Sequence, residues 1–228
     1  MGGLGAKGEK MYHYIEDKVF LSNMRELCGG IMQRVCRYLK QDFEIGAIFY
    51  LVGSGARNMI LQNADNPVDL DYNLEIVKCE NYSDCKHLKK CVIKAFSKCL
   101  DEYDLRRYEN STSSIKSPEM HFTNGNNTRF SMDICITCRD DNDNYYRLIH
   151  KKTGFSYCDE YWWSQAPCSR RVKEKAKYIK QSGKWEMVRK QYLDIKNMYL
   201  KQNDIKNHPS FVCYIEAVNN VYNTRYRW

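Results

Sequence analysis

Asp69 and Asp71 stand two residues apart in an extended run, Val68 to Val77, and Gly53-Ser54-Gly55 lies a short segment upstream. On a strand, alternate side chains share a face, so both carboxylates point the same way, roughly 7 Å apart along the backbone. Leu70 and Tyr72 point the other way. Two carboxylates brought to ~5 Å repel by about 3 kcal/mol at an effective dielectric near 20, which calls for a cation. Mg²⁺ suits them, being hard, octahedral and readily shared between carboxylates and phosphates. The glycines let backbone N–H groups approach an anion where a helix begins. The combination is that of a phosphate-and-metal site.

Such a site needs elements to hold it. An apolar run, Ala47 to Val52, reads as a strand ending at Gly53. A helical segment from Ala56 to Gln62 and a turn from Asn63 to Pro67 lead into the carboxylate strand. A third acid comes later, in Arg129-Phe130-Ser131-Met132-Asp133-Ile134-Cys135-Ile136. Alternation puts Asp133 on a face with Ser131 and Cys135, and Met132 and Ile134 on the core side. A lone acid in so apolar a strand costs free energy unless it is exposed or bound to something.

Gly53-Ser54 followed by Asp69-Leu70-Asp71-Tyr72, with Asp133 on a later strand, resembles the signature of the DNA polymerase β-like nucleotidyltransferase superfamily. The resemblance implies an α+β fold, a mixed sheet covered by helices, with a helical C-terminal region. It implies three parts: an N-terminal helical segment, 1–45, packing on the sheet; a catalytic domain, 46–164; and a helical C-terminal domain, 165–228. The chemistry implied is transfer of a nucleoside monophosphate from a nucleoside triphosphate, ATP included, to an acceptor hydroxyl, with release of pyrophosphate. Asp69 and Asp71 would hold the metal that clamps the triphosphate, and together with Asp133 a second metal that activates the acceptor oxygen. Two Mg²⁺ ions are expected, with Mn²⁺ able to substitute. Gly53 and Ser54 would bind the terminal phosphates, assisted by Arg57.

Composition sets bounds on the rest. An apolar share of 43% against 28% charged residues, without low-complexity tracts, describes a folded chain. The net charge of +8 is uneven. From Gln165 onward 14 Lys and Arg face five Asp and Glu, leaving the remainder near neutral. That basic third suits an anionic substrate, or simply a solvated face. Eleven cysteines, an odd number scattered through amphipathic segments, suit buried thiols in a reducing cytoplasm better than a disulfide framework. Apolar runs stop short of the ~18 residues a membrane span requires. Met1 to Ala6 lacks the Ser or Thr of a myristoylation signal and reads as a disordered leader.

Helical periodicity covers 10–41, with a bend or break expected at Gly29-Gly30, and 83–103. Residues 110–118, rich in Ser and Thr, read as loop. Residues 119–138 read as a hairpin turning at Asn124-Gly125. Three helices are expected after Ser169: one to about Gln181, one over 184–202, and one from Pro209 to Tyr222. Cys135 and Cys138 form a Cys-x-x-Cys without the second ligand pair of a zinc site, and strand alternation points them to opposite faces. Asp140 to Asn144 is acidic, but an EF-hand would need Gly at Tyr145 and Glu at Lys151. The five histidines are dispersed.

The acceptor stays open between a small molecule, favoured by compact size, and RNA such as tRNA, favoured by the basic C-terminal third. For RNA, the phosphate contacts would come from Lys173, Lys177, Lys180, Lys184, Arg189 and Lys190. An antitoxin-like protein-binding module that keeps the fold is the non-enzymatic alternative. Second-messenger synthases of the superfamily are usually longer chains.

Overall fold

A computed structural model of the chain describes residues 11–228 apart from Cys168. The leader at Met1 to Ala6 lies outside the described residues. In chain order the elements are β1 (Tyr12–Tyr14), α1 (Lys18–Phe43), β2 (Gly46–Leu51), α2 (Gly53–Arg57), β3 (Leu61–Asn63), β4 (Val68–Lys78), α3 (Cys85–Asp101), β5 (Glu109–Asn110) and β6 (Ile115–Lys116). They continue with β7 (Phe130–Arg139), β8 (Tyr145–Lys151), β9 (Glu160–Gln165), α4 (Arg170–Gln181), α5 (Trp185–Lys201) and α6 (Ser210–Asn223). The chain forms two compact units, one of Glu16–Asn58 and Pro67–Pro167, the other gathering residues up to Ile15, Met59–Asn66 and the chain after Pro167. The expected α+β class holds, with a mixed sheet and helices packed against it.

In the first unit β4 and β7 form the centre of the sheet. They run parallel, β2 pairs antiparallel with β4, and β6 and β8 pair antiparallel with different stretches of β7. β5 extends β6, and β9 extends β8. β4 alternates as its sequence requires: Leu70, Tyr72 and Leu74 are buried while Asp69 is exposed and Asp71 and Asn73 are half-buried. Met132, Ile134 and Ile136 of β7 are buried on the same pattern. Their burial stabilises the fold by roughly 1.5–3 kcal/mol per side chain. The helical contribution comes from Met24, Cys28, Ile31, Met32, Val35 and Leu39 of α1 and from Leu88, Val92, Phe96 and Leu100 of α3, all buried.

α1 starts where Asp17 accepts a hydrogen bond from the Phe20 amide at 2.9 Å, and it stops at Glu44, in the left-handed region with φ 57°. It runs unbroken through Gly29-Gly30. Of the bend or break expected there, the break does not form, because Cys28, Ile31 and Met32 bury the stripe around the pair, and that outweighs about 1 kcal/mol of lost helix propensity per glycine. Residues Tyr12–Tyr14, expected at the start of this helix, form β1 instead.

Two further expectations change. The helix expected over Ala56 to Gln62 is confined to Gly53–Arg57, because Asn58 turns left-handed at φ 55° and Leu61–Asn63 then pairs with β1. The hairpin expected over 119–138 shrinks to a single bridge, Met120 to Phe130. The neighbour β7 gains there is β6, drawn from the stretch expected as loop.

In the second unit α4, α5 and α6 fall within two residues of their expected bounds, although Ser169 makes no side-chain capping bond. Their core holds Ile179, Val188, Ile195, Ala217 and Val218 together with Met59. β1 is tied in by a reciprocal pair: the Tyr12 amide donates to Asn197 Oδ1 at 2.7 Å, and Asn197 Nδ2 donates to Tyr12 O at 3.1 Å. Among the described residues no helix is long and apolar enough to cross a membrane.

Candidate active site

β4 and β7 are registered so that Asp69 pairs with Ser131 and Asp71 with Asp133. In a parallel pair, registered residues project to the same face, so all three aspartates share one face of the first unit's sheet. That face lies opposite Leu70, Tyr72, Met132 and Ile134. The neighbouring strands stand about 4.8 Å apart, which sets Asp71 and Asp133 side by side, and the Asp133 charge bears on Asp71.

Gly53 closes the site from the β2 side. The Val52 amide donates to Asp71 O at 2.8 Å, bringing the turn onto the carboxylate strand. Gly53 has φ +63°, and a Cβ built there would overlap Asp71 Oδ2. Both its left-handed backbone and this close approach require glycine. Arg57 Nη1 donates to Gly53 O at 2.7 Å, bracing the turn from inside α2. Arg25 of α1 braces it from outside, its Nη2 reaching Gly55 O at 3.1 Å and Asn58 Oδ1 at 2.9 Å. Ser54, next to Gly53 at the start of α2, is half-buried.

Three polar groups not singled out by chemistry in the sequence complete the face. Lys116 of β6 registers with Asp133, and its Nζ donates to Asp69 Oδ1 at 2.9 Å. Ser131 Oγ donates to the same Asp69 oxygen. Ser114 Oγ donates to Asp133 Oδ1 at 3.2 Å. Ser131 was legible as a face-mate of Asp133. Lys116 and Ser114 were not, because a two-residue strand inside a Ser/Thr-rich stretch leaves no periodicity to read.

The electrostatics follow from burial and crowding. Burial pushes Asp71 up to about 6, reinforced by the charges of Asp133 and Asp69 and opposed by Arg57 and Lys116. Asp133 is also raised, first by burial and then by Asp69, against the pull of Lys116 and the Ser114 hydrogen bond. Burial works to lower Lys116, but its hydrogen bond to Asp69 and the surrounding carboxylates outweigh it and leave its pKa raised. The face therefore carries more negative charge than its cations balance.

The donor set fits a hard divalent cation: all-oxygen carboxylate ligands, one of which, Asp71, is raised by burial and by its neighbouring carboxylates, a cost that a bound cation would offset. The oxygens are not gathered into a cage. Among the described residues no three Asp, Glu, His or Cys side chains converge closely enough to hold an ion as they stand. Asp69 Oδ1 is instead engaged by Lys116 and Ser131.

Cys135 continues the carboxylate face and is half-buried, whereas Cys138 is buried on the other side, as their alternation implies. Asp140 closes a tight turn, accepting from the amides of Asn142 and Asn144 at 3.0 and 2.8 Å. Lys180 and Arg189 in the second unit lie over the rings of Trp185 and Tyr14, at 4.4 and 4.3 Å.

The mixed sheet with a carboxylate-bearing parallel pair and a glycine turn at its edge defines a nucleotidyltransferase-like fold. Solved structures share it. Vibrio cholerae DncV in its 3′-deoxy GTP-bound form matches with a TM-score of 0.63 at 10% identity, over 90% of this chain and 66% of that one. Escherichia coli DncV bound to 3′-deoxy GTP matches with a TM-score of 0.57 at 9% identity, over 89% and 67%. The E. coli MS115-1 CdnC:HORMA-deltaN complex matches with a TM-score of 0.54 at 16% identity, over 92% and 61%. The chain thus spans about two-thirds of the length of these proteins. No protein-family model matches the sequence, and no curated protein matches it.

Proposed function

We propose that the protein is a metal-dependent nucleotidyltransferase that moves a nucleoside monophosphate from a nucleoside triphosphate to an acceptor hydroxyl. The observation that carries this reading is the register of β4 and β7, which sets Asp69, Asp71 and Asp133 on one polar face with Gly53 pressed against Asp71. The Gly-Ser … Asp-x-Asp … Asp order of the sequence and the shared fold support it. Asp69, Asp71 and Asp133 would hold Mg²⁺ or Mn²⁺. Such ions, when bound, neutralise the triphosphate and lower the pKa of the attacking hydroxyl. The chain's own residues orient and exclude. Gly53 and Ser54 present backbone and hydroxyl donors to the phosphates, and Arg57 stiffens that turn through Gly53 O. Ser131 and Ser114 hold the carboxylates of Asp69 and Asp133 in place on the sheet.

The acceptor proposed is a small molecule, and a second nucleotide is the form that the fold supports. One structure sharing the fold, at a TM-score of 0.54 and 10% identity, is described as a cyclic AMP-GMP synthase from Vibrio cholerae. That synthase is a longer chain, as expected of second-messenger synthases, since the match covers 80% of this chain and 61% of that one. RNA is the second reading, favoured by the basic C-terminal third.

Incubating the purified protein with α-labelled nucleoside triphosphates and Mg²⁺ or Mn²⁺, with and without tRNA, separates these readings. Pyrophosphate release with label in a phosphatase-resistant small product supports a nucleotide acceptor. Label that enters RNA selects the second reading. Neither pyrophosphate nor label transfer, also in cell extract, leaves the binding module.

A further inference from the structure

Lys116 is an ammonium delivered to the carboxylate face by the fold rather than by its neighbours in sequence. β6 is only two residues long, and its other member, Ile115, is fully buried and registered against Ile134. That anchor fixes Lys116 beside Asp133 and places its Nζ 2.9 Å from Asp69 Oδ1. The side chain keeps 30% of its surface exposed, so its head is within reach of water and of an entering ligand. Asp69 Oδ1 already accepts from Lys116 and Ser131, and Asp133 Oδ1 accepts from Ser114. Hence the acids share a face without forming an ion cage. A dication arriving alone would have to displace the ammonium from Asp69 or bind beside it against like-charge repulsion.

We propose that Lys116 is a built-in counter-ion that shuts the free site to a divalent cation alone, and that it transfers from Asp69 to a phosphate oxygen when a nucleoside triphosphate brings the cation in. This rests on the reading of the face as a metal–triphosphate site. Asp133 and Glu109, its register partners on β7 and β5, hold the ammonium at this face, and a polyphosphate adds an anionic acceptor that can draw it off Asp69, so cation binding becomes conditional on nucleotide. No covalent change is involved. Lysine suits the exchange because its compact charge sits on a flexible stem, whereas arginine would clamp a carboxylate in a planar fork.

The test is Mn²⁺ binding by the full chain, read by electron paramagnetic resonance, with and without a non-hydrolysable nucleoside triphosphate analogue. Without analogue, Lys116→Met should bind Mn²⁺ at least about tenfold more tightly than the wild type, since one nearby positive charge is gone. Lys116→Arg should stay as weak as the wild type. With analogue, the wild type should tighten and the advantage of Lys116→Met should vanish. Lys116→Gln serves in place of the Met variant should the latter lose its cooperative melt. Equal or weaker Mn²⁺ binding by the charge-removed variant, while the wild type still binds Mn²⁺ with analogue, overturns the counter-ion role and leaves the metal–nucleotide reading standing. No Mn²⁺ binding by any form, with analogue or without, overturns both.

Discussion

Asp71 and Asp133 face each other directly across the parallel strands β4 and β7, so two carboxyls occupy one step of the sheet. A third, Asp69, lies one alternation away on the same face, and the Asp71 carboxylate lies against Gly53, in the space a Cβ there would fill. Burial first, and then the charges of Asp133 and Asp69, raise Asp71 from 3.8 to about 6.

That rise sets the sign of a pH effect. Between pH 3.8 and about 6 the folded chain binds more protons at Asp71 than the unfolded chain does. The contribution of this group to stability is therefore most favourable below that window, and it falls as pH rises through it. Removing the charge should relieve up to about 3 kcal/mol at neutral pH, because each tenfold change in proton affinity is worth about 1.4 kcal/mol. Asp71→Asn should melt several degrees higher than the wild type at pH 7.5 without divalent cations, and the gap should close by pH 4. An equal or lower melting temperature at pH 7.5 would contradict the crowding.

The same variant should lose catalysis. Asp69→Asn, Asp71→Asn and Asp133→Asn should each lower pyrophosphate release by more than about a hundredfold, because each removes charge placed to stabilise the reacting phosphates. Near-normal turnover in Asp71→Asn would exclude its proposed role at the metal.

Gly53→Ala tests the turn. A left-handed backbone costs a residue with a Cβ about 1–2 kcal/mol, and here the methyl also overlaps Asp71 Oδ2. The variant should melt lower and lose nucleotide affinity measured by calorimetry. Gly125→Ala, with φ +81° but nothing within 4 Å of its Cβ, should show the backbone cost without the loss of affinity.

The cysteines are expected to hold no metal. Cys135 and Cys138 point to opposite faces, and burial pushes the Cys138 thiol up to about 12, away from the thiolate that zinc prefers. Metal analysis of the purified protein should find less than stoichiometric zinc. Zinc that persists through chelation would contradict this.

The basic C-terminal third gives the last test. Lys180 and Arg189 lie over aromatic rings, leaving Lys173, Lys177 and Lys190 among the remaining members of the set. With a small-molecule acceptor, reversing Lys177 and Lys190 to Glu should change turnover less than about twofold, as expected for solvated surface charges. With an RNA acceptor, six phosphate contacts would give a log–log salt slope of about −5 on duplex-like nucleic acid, and the double reversal would flatten it.

The sequence by itself determined the local grammar. Period-2 alternation in Val68 to Val77 and in Phe130 to Ile136 assigned both strands and told which side of each faces the core, because an apolar side chain facing water forfeits its burial. Helical periodicity likewise located α3 and the three C-terminal helices. Tertiary structure decided what no local pattern encodes. The parallel register that pairs Asp71 with Asp133, rather than with Ser131 or Cys135, depends on how two strands far apart in the chain slide against each other. The same holds for β6. Ile115 and Lys116 form a strand only because β7 offers a free edge, and that long-range pairing is what brings an ammonium to Asp69. The unbroken α1 shows the converse: Gly29-Gly30 argues for a break, and burial of Cys28, Ile31 and Met32 overrules it. Local propensities are worth about 1 kcal/mol per residue, whereas pairing and burial are summed over the whole element, so they decide wherever the two conflict.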